Sequence, residues 1–239
     1  MQHAKNCSEE TILPGDSEQP SEPEYESKAK GLLRKRGGKL YWKTKRVCDV
    51  VISIMLLIVL SPAFLIISLL IVLSSEGAAI YCHDRIGKNG KPIGVLKFRT
   101  MVKAADMYLP FFSMEQKQEW SDRFKLDHDP RVTPIGRFLR KSSLDELPQL
   151  INVIKGEMSL VGPRPIVKEE LEKYGSRKAE FLSIPPGLTG YWQAYARSDC
   201  DYEQRMQMEL EYVNHANFLW DIQILLVTCK SVLQGKGAQ

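Results

Sequence analysis

The sequence predicts an α+β fold, mostly helical with one β-hairpin, that is membrane-associated through an N-terminal re-entrant helix–break–helix. Three observations predict it: an uncharged apolar run with a proline at its centre, an Asn-Gly dipeptide between two short β-branched runs, and helical apolar periodicity further on. Composition sets the frame. The 239 residues are 44% apolar and 26% charged, with a mean hydropathy of -0.24, which excludes both a multi-span transporter and a wholly disordered chain. Charge is unevenly divided. Residues 1–27 hold one Lys against seven Asp/Glu and the remainder 32 Lys/Arg against 22 acids, so -6 and +10 make the net +4. A basic body prefers anionic partners, whether phosphorylated substrates, a membrane surface or nucleic acid. The five cysteines (Cys7, Cys48, Cys82, Cys200, Cys229) include no C-x-x-C, and the four histidines lack H-x-x-x-H spacing. A disulfide framework and a zinc site are therefore disfavoured, and reduced cytosolic thiols fit best.

Residues 1–40 read as an acidic tail and basic linker. The first 27 are rich in Ser, Glu, Pro and Gln, the composition of a disordered segment, and lack the apolar core of a secretory signal. Residues 28–46 carry nine Lys/Arg and no acid, with Tyr41 and Trp42 near the end, which describes a cytoplasmic membrane interface. Residues 41–75 form the membrane segment. Its uncharged part, residues 50–75, holds 26 positions, a helix of ~39 Å against a hydrocarbon core of ~30 Å. Hydropathy alone reads this as a single-pass span, but two features favour a return. Pro62, preceded by Ser61, sits mid-run; it removes a backbone bond and bends a helix, while the serine hydroxyl can satisfy the freed carbonyl. Both flanks are also basic, residues 76–103 carrying six Lys/Arg against Glu76 and Asp84, so both ends prefer the same side. A helix broken at Ser61-Pro62 that dips into one leaflet meets both facts.

Residues 76–239 read as a cytosolic catalytic domain. Asn89-Gly90 marks a hairpin turn between short runs containing β-branched and aromatic residues. On its second strand Lys97 and Arg99 lie two apart and share a face, which without context describes a solvated surface. Residues 106–126 place Met107, Tyr108, Leu109, Phe111, Phe112, Met114 and Trp120 among charges, as either an interface-lying stretch or core packing. Leu147, Leu150, Ile151 and Ile154 have helical spacing, with Ser143-x-x-Glu146 as a capping box at the start and Gly156 as the stop. Helical stretches follow near 201–213 and 218–234. The second is strongly apolar, but its length, Asp221 and Lys230 favour lying on a bilayer over crossing one.

Asp145-Glu146 is the pair with chemical potential. Acids in a first helical turn ordinarily cap amides and complement the helix dipole, so a functional reading needs company. Arg137, Arg140 and Lys141 stand just upstream, and Arg164 is fixed between Pro163 and Pro165, a restrained backbone suited to bidentate phosphate contact. Asp127-His128-Asp129 and Asp199-Cys200-Asp201 both spell D-x-D, a spacing common in loops.

The order of motifs over residues 43–237 resembles the bacterial sugar transferases, the monotopic polyprenyl-phosphate hexose-1-phosphate transferases (phosphoglycosyl transferases). The strings are Lys45-Arg46-x-x-Asp49, Ser61-Pro62, Arg85-x-Gly87-x-x-Gly90, and Lys97-Phe98-Arg99-Thr100-Met101. They continue with 143–149 (SLDELPQ), 158–165 (MSLVGPRP) and 186–190 (PGLTG). The chain departs from the family's usual residues at Ala196-Arg197-Ser198 (Gly-Arg-Asn), Ile93 (an aromatic) and Glu157 (Asp). The resemblance implies a UDP-sugar donor and a polyprenyl phosphate acceptor, undecaprenyl phosphate being the expected one, at the cytoplasmic face of a bacterial membrane. Asp145 resembles the nucleophile that attacks the sugar-linked phosphorus and expels UMP, and Glu146 resembles the Mg2+ ligand. Lys97, Arg99, Arg140, Arg164 and Arg197 are the expected phosphate and substrate contacts. Membrane lipid is a further partner, nucleic acid is not, and a homodimer is left open. The expected role is the first membrane step of a polysaccharide or glycoconjugate pathway, such as exopolysaccharide or capsule. Two other readings stand beside it: a metal-dependent glycosyltransferase that moves the sugar alone, and a non-catalytic membrane-anchored adaptor.

Overall fold

A single 36-residue helix, α1 (Lys39–Ser74), contains the whole apolar run. It belongs to a computed structural model that describes residues 37–123, 126, 129–196 and 200–234. The acidic tail read as disordered thus lies outside the described residues. The expected break at Ser61-Pro62 is not an interruption, because helical backbone continues across it. The reason is local. Pro62 has no N–H to give to the carbonyl of Ile58, and the Ser61 hydroxyl donates to that carbonyl at 2.8 Å instead. The buried positions of α1 fall in two groups, Lys45, Asp49 and Ser53 near its start and Ile67 and Ile71 near its end. Between them Met55, Ile58, Val59, Leu65 and Ile66 are exposed.

Strands β1 (Ile80–Ile86) and β2 (Pro92–Phe98) pair antiparallel, Ile80 opposite Phe98 and Ile86 opposite Pro92. Asn89 and Gly90 adopt φ of 58° and 78°, the two positive values an Asn-Gly hairpin turn requires. This register puts Tyr81, His83 and Arg85 opposite Lys97, Val95 and Ile93, so those six side chains share one face. Helix α2 (Met114–Arg123) and a preceding 3-10 segment (Ala105–Phe111) follow. Met107, Tyr108, Phe111 and Met114 are exposed there, and Phe112 is buried, beneath the Arg131 guanidinium 5.0 Å from its ring.

The main core joins Ile93 and Val95 to Leu150 and Val153 of α4 (Gln149–Lys155), with Tyr212, Val213 and Ile224 from the last two helices. Between β2 and α4 lies α3 (Pro134–Lys141), capped by the Thr133 hydroxyl accepting from the Gly136 amide. Asn152 of α4, fully buried, extends the hairpin edge: it accepts from the Leu96 amide at 3.0 Å and donates to the Gly94 carbonyl at 2.7 Å. Beyond α4, Gly156 takes φ of 91° as the expected helix stop.

Strands β3 (Ser159–Val161) and β4 (Gly187–Thr189) pair in parallel. Their backbones pass so close that a Cβ on Gly187 would stand 2.1 Å from the Gly162 amide nitrogen. That is the physical content of the two glycine-bearing strings. Short helices α5 (Lys168–Glu172) and α6 (Lys178–Phe181) precede β4, and α7 (Tyr191–Tyr195) follows it. The chain closes with α8 (Tyr202–His215) and α9 (Phe218–Leu233), near the expected bounds. Asp201 begins α8 with a full capping box to Gln204.

Candidate active site

The Asp145-Glu146 pair sits on a one-turn 3-10 segment (Leu144–Glu146) ahead of α4. The expected capping box is absent. Ser143 is left-handed, with φ of 57°, and its side chain caps nothing. A capping residue needs extended backbone to reach the amides ahead of it, so the positive φ excludes the motif. The freed Glu146 side chain turns to the hairpin face. Its Oε1 accepts from Lys97 Nζ at 2.7 Å and lies 3.7 Å from an Arg164 nitrogen. Asp145 is only 9% exposed, yet among the described residues no hydrogen bond or salt bridge holds its carboxylate.

Three elements converge on this point. Strand β2 supplies Lys97. The loop after β3 supplies Arg164, whose backbone amide donates to the buried Glu209 carboxylate at 3.2 Å. Helix α3 supplies Arg140, whose Nε donates to Thr100 Oγ1 at 3.0 Å. A shallow cleft opens beside them, lined by Arg85, Lys97, Glu146, Gln149, Arg164 and Gly187, among others.

The charges separate the two carboxylates. Burial, and then the negative charge of Glu146, push Asp145 up to about 6 against the pull of Lys97, Arg140 and Arg164. Burial also opposes ionisation of Glu146, but the charges of Lys97, Arg164 and Arg85 together with the Lys97 hydrogen bond outweigh it and hold the group at about 2. Glu146 is thus a fixed anion, whereas Asp145, which among the described residues has no hydrogen bond or salt bridge, is pushed up to about 6. Two such environments for adjacent carboxylates mark a division of roles.

Lys97, Arg140, Arg164, Asp145 and Glu146 are brought together. Arg99 is not. Its guanidinium turns to the end of α1, donating to the carbonyls of Ser75 at 2.7 Å and Ile71 at 3.2 Å and to that of Glu76. Arg197 lies outside the described residues. Arg137 and Lys141 are exposed at the surface of α3. Neither D-x-D string leaves its described acid free: Asp129 binds the Arg131 guanidinium through both oxygens, and Asp201 caps α8. Asp127, His128 and Asp199 lie outside the described residues.

Sequence reasoning gave Arg85 and His83 no role. Arg85 lines the cleft, stands 3.7 Å from Glu170, and donates to His83 Nδ1 at 3.1 Å. Burial and the cations Arg85, Lys97 and Arg164 push His83 down to about 4, so its ring is neutral and does not add to the cationic face. Counting outward from Asn89-Gly90 would have placed Arg85 on the Lys97 face.

With this geometry in hand, comparisons with known proteins are specific. A family model described as bacterial sugar transferase matches residues 40–235. The chain is 44% identical over 211 residues to the exopolysaccharide production protein ExoY of Sinorhizobium fredii, an alignment covering 87% of this chain and 92% of that protein. It is 47% identical over 198 residues to the undecaprenyl-phosphate galactose phosphotransferase of Salmonella typhimurium, covering 81% of this chain and 41% of that protein. It is 37% identical over 202 residues to the UDP-glucose:undecaprenyl-phosphate glucose-1-phosphate transferase of Escherichia coli, again 81% and 41%.

Proposed function

The chain belongs to the bacterial sugar transferase family, and on that footing we propose that it is a phosphoglycosyl transferase moving a hexose-1-phosphate from a UDP-sugar to a polyprenyl phosphate. The relatives named above support the acceptor and the transferred group, and ExoY supports a place in exopolysaccharide synthesis. One observation carries the chemistry: Glu146 is locked by Lys97 and Arg164, while the adjacent Asp145 is buried, without hydrogen bond or salt bridge among the described residues, and pushed up to about 6. In this reading an Asp145 carboxylate oxygen attacks the sugar-linked phosphorus. The bond from that phosphorus to the bridging oxygen breaks, and UMP departs with the electron pair. An oxygen of the lipid phosphate then attacks the same phosphorus and returns Asp145 as a carboxylate. Two steps avoid bringing one anionic phosphate directly against another substrate's diphosphate. Lys97, Arg140, Arg164 and Arg85 supply the positive field in which the transferred phosphoryl oxygens are stabilised.

Mg2+ fits the donor set. Both contacts to Glu146 use Oε1, and among the described residues Asp145 has no ion-pair partner. Among the described residues no group of three or more His, Cys, Asp or Glu side chains forms. A cation held by Glu146 would therefore take its other ligands from substrate phosphates and water, the usual manner of Mg2+. Its contribution is to neutralise diphosphate charge.

The re-entrant reading of α1 draws support from packing. Near its start, Arg46 donates to the carbonyls of Val153 and Ile154 at 2.5 and 2.8 Å. Near its end, Ile67 and Ile71 pack on Phe98 and Leu139. One body thus holds both ends of the apolar run, an arrangement that favours a return to the same side over a straight crossing of a ~30 Å hydrocarbon core. The body then sits at the headgroups on one side, the cytoplasmic face where a soluble sugar nucleotide meets the lipid.

The test is a panel of UDP-sugars scored for UMP release with undecaprenyl phosphate and Mg2+, followed by mixing the active donor, labelled on its β-phosphate, with enzyme lacking acceptor. Label should remain on the wild-type protein. Asp145→Asn should take up none and lose roughly 10³-fold or more in turnover while still sedimenting with membranes. Normal turnover by that variant, or UDP as the released nucleotide, defeats the proposal.

A further inference from the structure

Strand β2 carries two cations two residues apart with different engagements. Lys97 meets Glu146 in the cleft, whereas Arg99 binds three carbonyls at the end of α1 and in the turn beyond it. The carbonyls at a helix C-terminus carry the negative end of its dipole, and that of Ile71 also accepts from the Ser75 amide and the Ser74 hydroxyl. A planar guanidinium with several donors is suited to gather them. The adjoining turn is shaped to admit it: Gly77 has φ of 114°, and a Cβ there would stand 2.3 Å from an Arg99 nitrogen.

Phe98, between the two cations, makes the connection mechanical. Its ring lies 5.2 Å from that of Phe64, within the apolar half of α1 beyond Pro62. It shares a buried cluster with Ile67, Ile71 and Leu139, against which Leu144 and Leu147 pack. Those two leucines flank Asp145-Glu146. The membrane end of α1 and the turn bearing the reactive carboxylate therefore lean on the same side chain, with Arg99 clamping the helix to it.

We infer that Arg99 is a positioning residue for the lipid substrate, fixing the depth of α1 against β2 so that a phosphate at the bilayer surface meets the Asp145 turn. This rests on the phosphoglycosyl transfer reading. It assigns Arg99 no contact with the sugar nucleotide, the role its spacing from Lys97 alone would suggest.

Full-length enzyme in lipid nanodiscs separates these roles. Arg99→Ala should label from the β-phosphate-labelled UDP-sugar, without acceptor, within about twofold of wild type. Its KM for undecaprenyl phosphate should rise by about tenfold, and Arg99→Lys should fall between. Gly77→Ala keeps the charge but displaces the guanidinium from an exposed turn, and should reproduce the lipid effect. An unchanged lipid KM, or donor labelling lost in parallel with it, overturns the inference. A second readout needs no turnover: a single cysteine at Leu73, near the end of α1, should change its reactivity toward a water-soluble maleimide when Arg99 is replaced. Unchanged reactivity also overturns the clamp. Failure of wild-type enzyme to label would instead defeat the covalent mechanism, with the maleimide arm still deciding whether Arg99 sets the helix.

Discussion

In the proposed mechanism, Asp145 reacts from a buried position whose burial costs stability. Its pKa is raised from 3.8 to about 6 by burial first and by Glu146 second. An unfolded chain therefore releases this proton at lower pH than the folded one. Stability contributed by the group falls as pH rises from about 4 to about 6 and stays reduced above that. At neutral pH the penalty is on the order of 3 kcal/mol. Asp145→Asn should accordingly melt several degrees higher than wild type at pH 7.5 while being inactive, and a lower melting temperature would show that the carboxylate is stabilised by its cations instead. The same pKa predicts an acid limb for label uptake in the wild type, falling about tenfold per pH unit below about 6, since only the carboxylate is nucleophilic. These residues were legible as types and partly as company, since Arg140, Arg164 and Lys97 stand where the motifs suggested. The capping box misled because its spacing is also that of a short 3-10 turn, and only the positive φ of Ser143 tells them apart. Arg99 misled because strand parity ends with the strand at Phe98.

At the scale of elements, the hairpin was readable because Asn89-Gly90 fixes the turn and hence the register. The glycine strings at 162 and 187 were recognisable as pattern, but their cause, two backbones in near contact, exists only after β3 and β4 meet. Helix α1 is the instructive case. Pro62 was expected to break it, and the Ser61 hydroxyl keeps the helix continuous by replacing the missing donor at Ile58. Continuity does not require a crossing, because both ends of α1 pack on the same body. With native cysteines replaced by serine, single cysteines at Lys43 and Lys103 should react with an impermeant maleimide from the same side of sealed vesicles. Opposite-side labelling would show a single-pass helix instead of the proposed return. Pro62→Ala restores the backbone donor and should shift part of the population toward opposite-side labelling, more so with Ser61→Ala, since a straight apolar helix of this length can span.

Across the whole molecule, the first and last helices are joined by a buried polar knot. Asp221 of α9 accepts from Lys45 at 2.9 Å, from Tyr41 at 2.9 Å and from Tyr212 at 2.6 Å. Beside it Asp49 accepts from Ser159 at 2.7 Å and from the Leu160 amide at 3.3 Å, so the start of α1 is tied to both β3 and α9. The sequence showed Lys45, Arg46 and Asp49 as a motif without showing that all three face inward, because their partners lie more than 100 residues away. A buried ion pair is weak evidence for net stability, but removing one partner strands the other charge. Asp221→Asn should therefore cost about 3–5 kcal/mol, seen as a lower melting temperature in detergent and faster proteolysis between α1 and the hairpin. A Lys45→Met, Asp221→Leu double variant, which removes both charges, should recover much of that loss. If the double variant is no more stable than Asp221→Asn, the tyrosine hydroxyls rather than the ion pair hold the knot. In either case loosening the start of α1 should leave Lys97, Glu146 and Arg164 in place and lower turnover chiefly through weaker membrane seating, measured as a raised KM for undecaprenyl phosphate in nanodiscs with donor labelling unchanged.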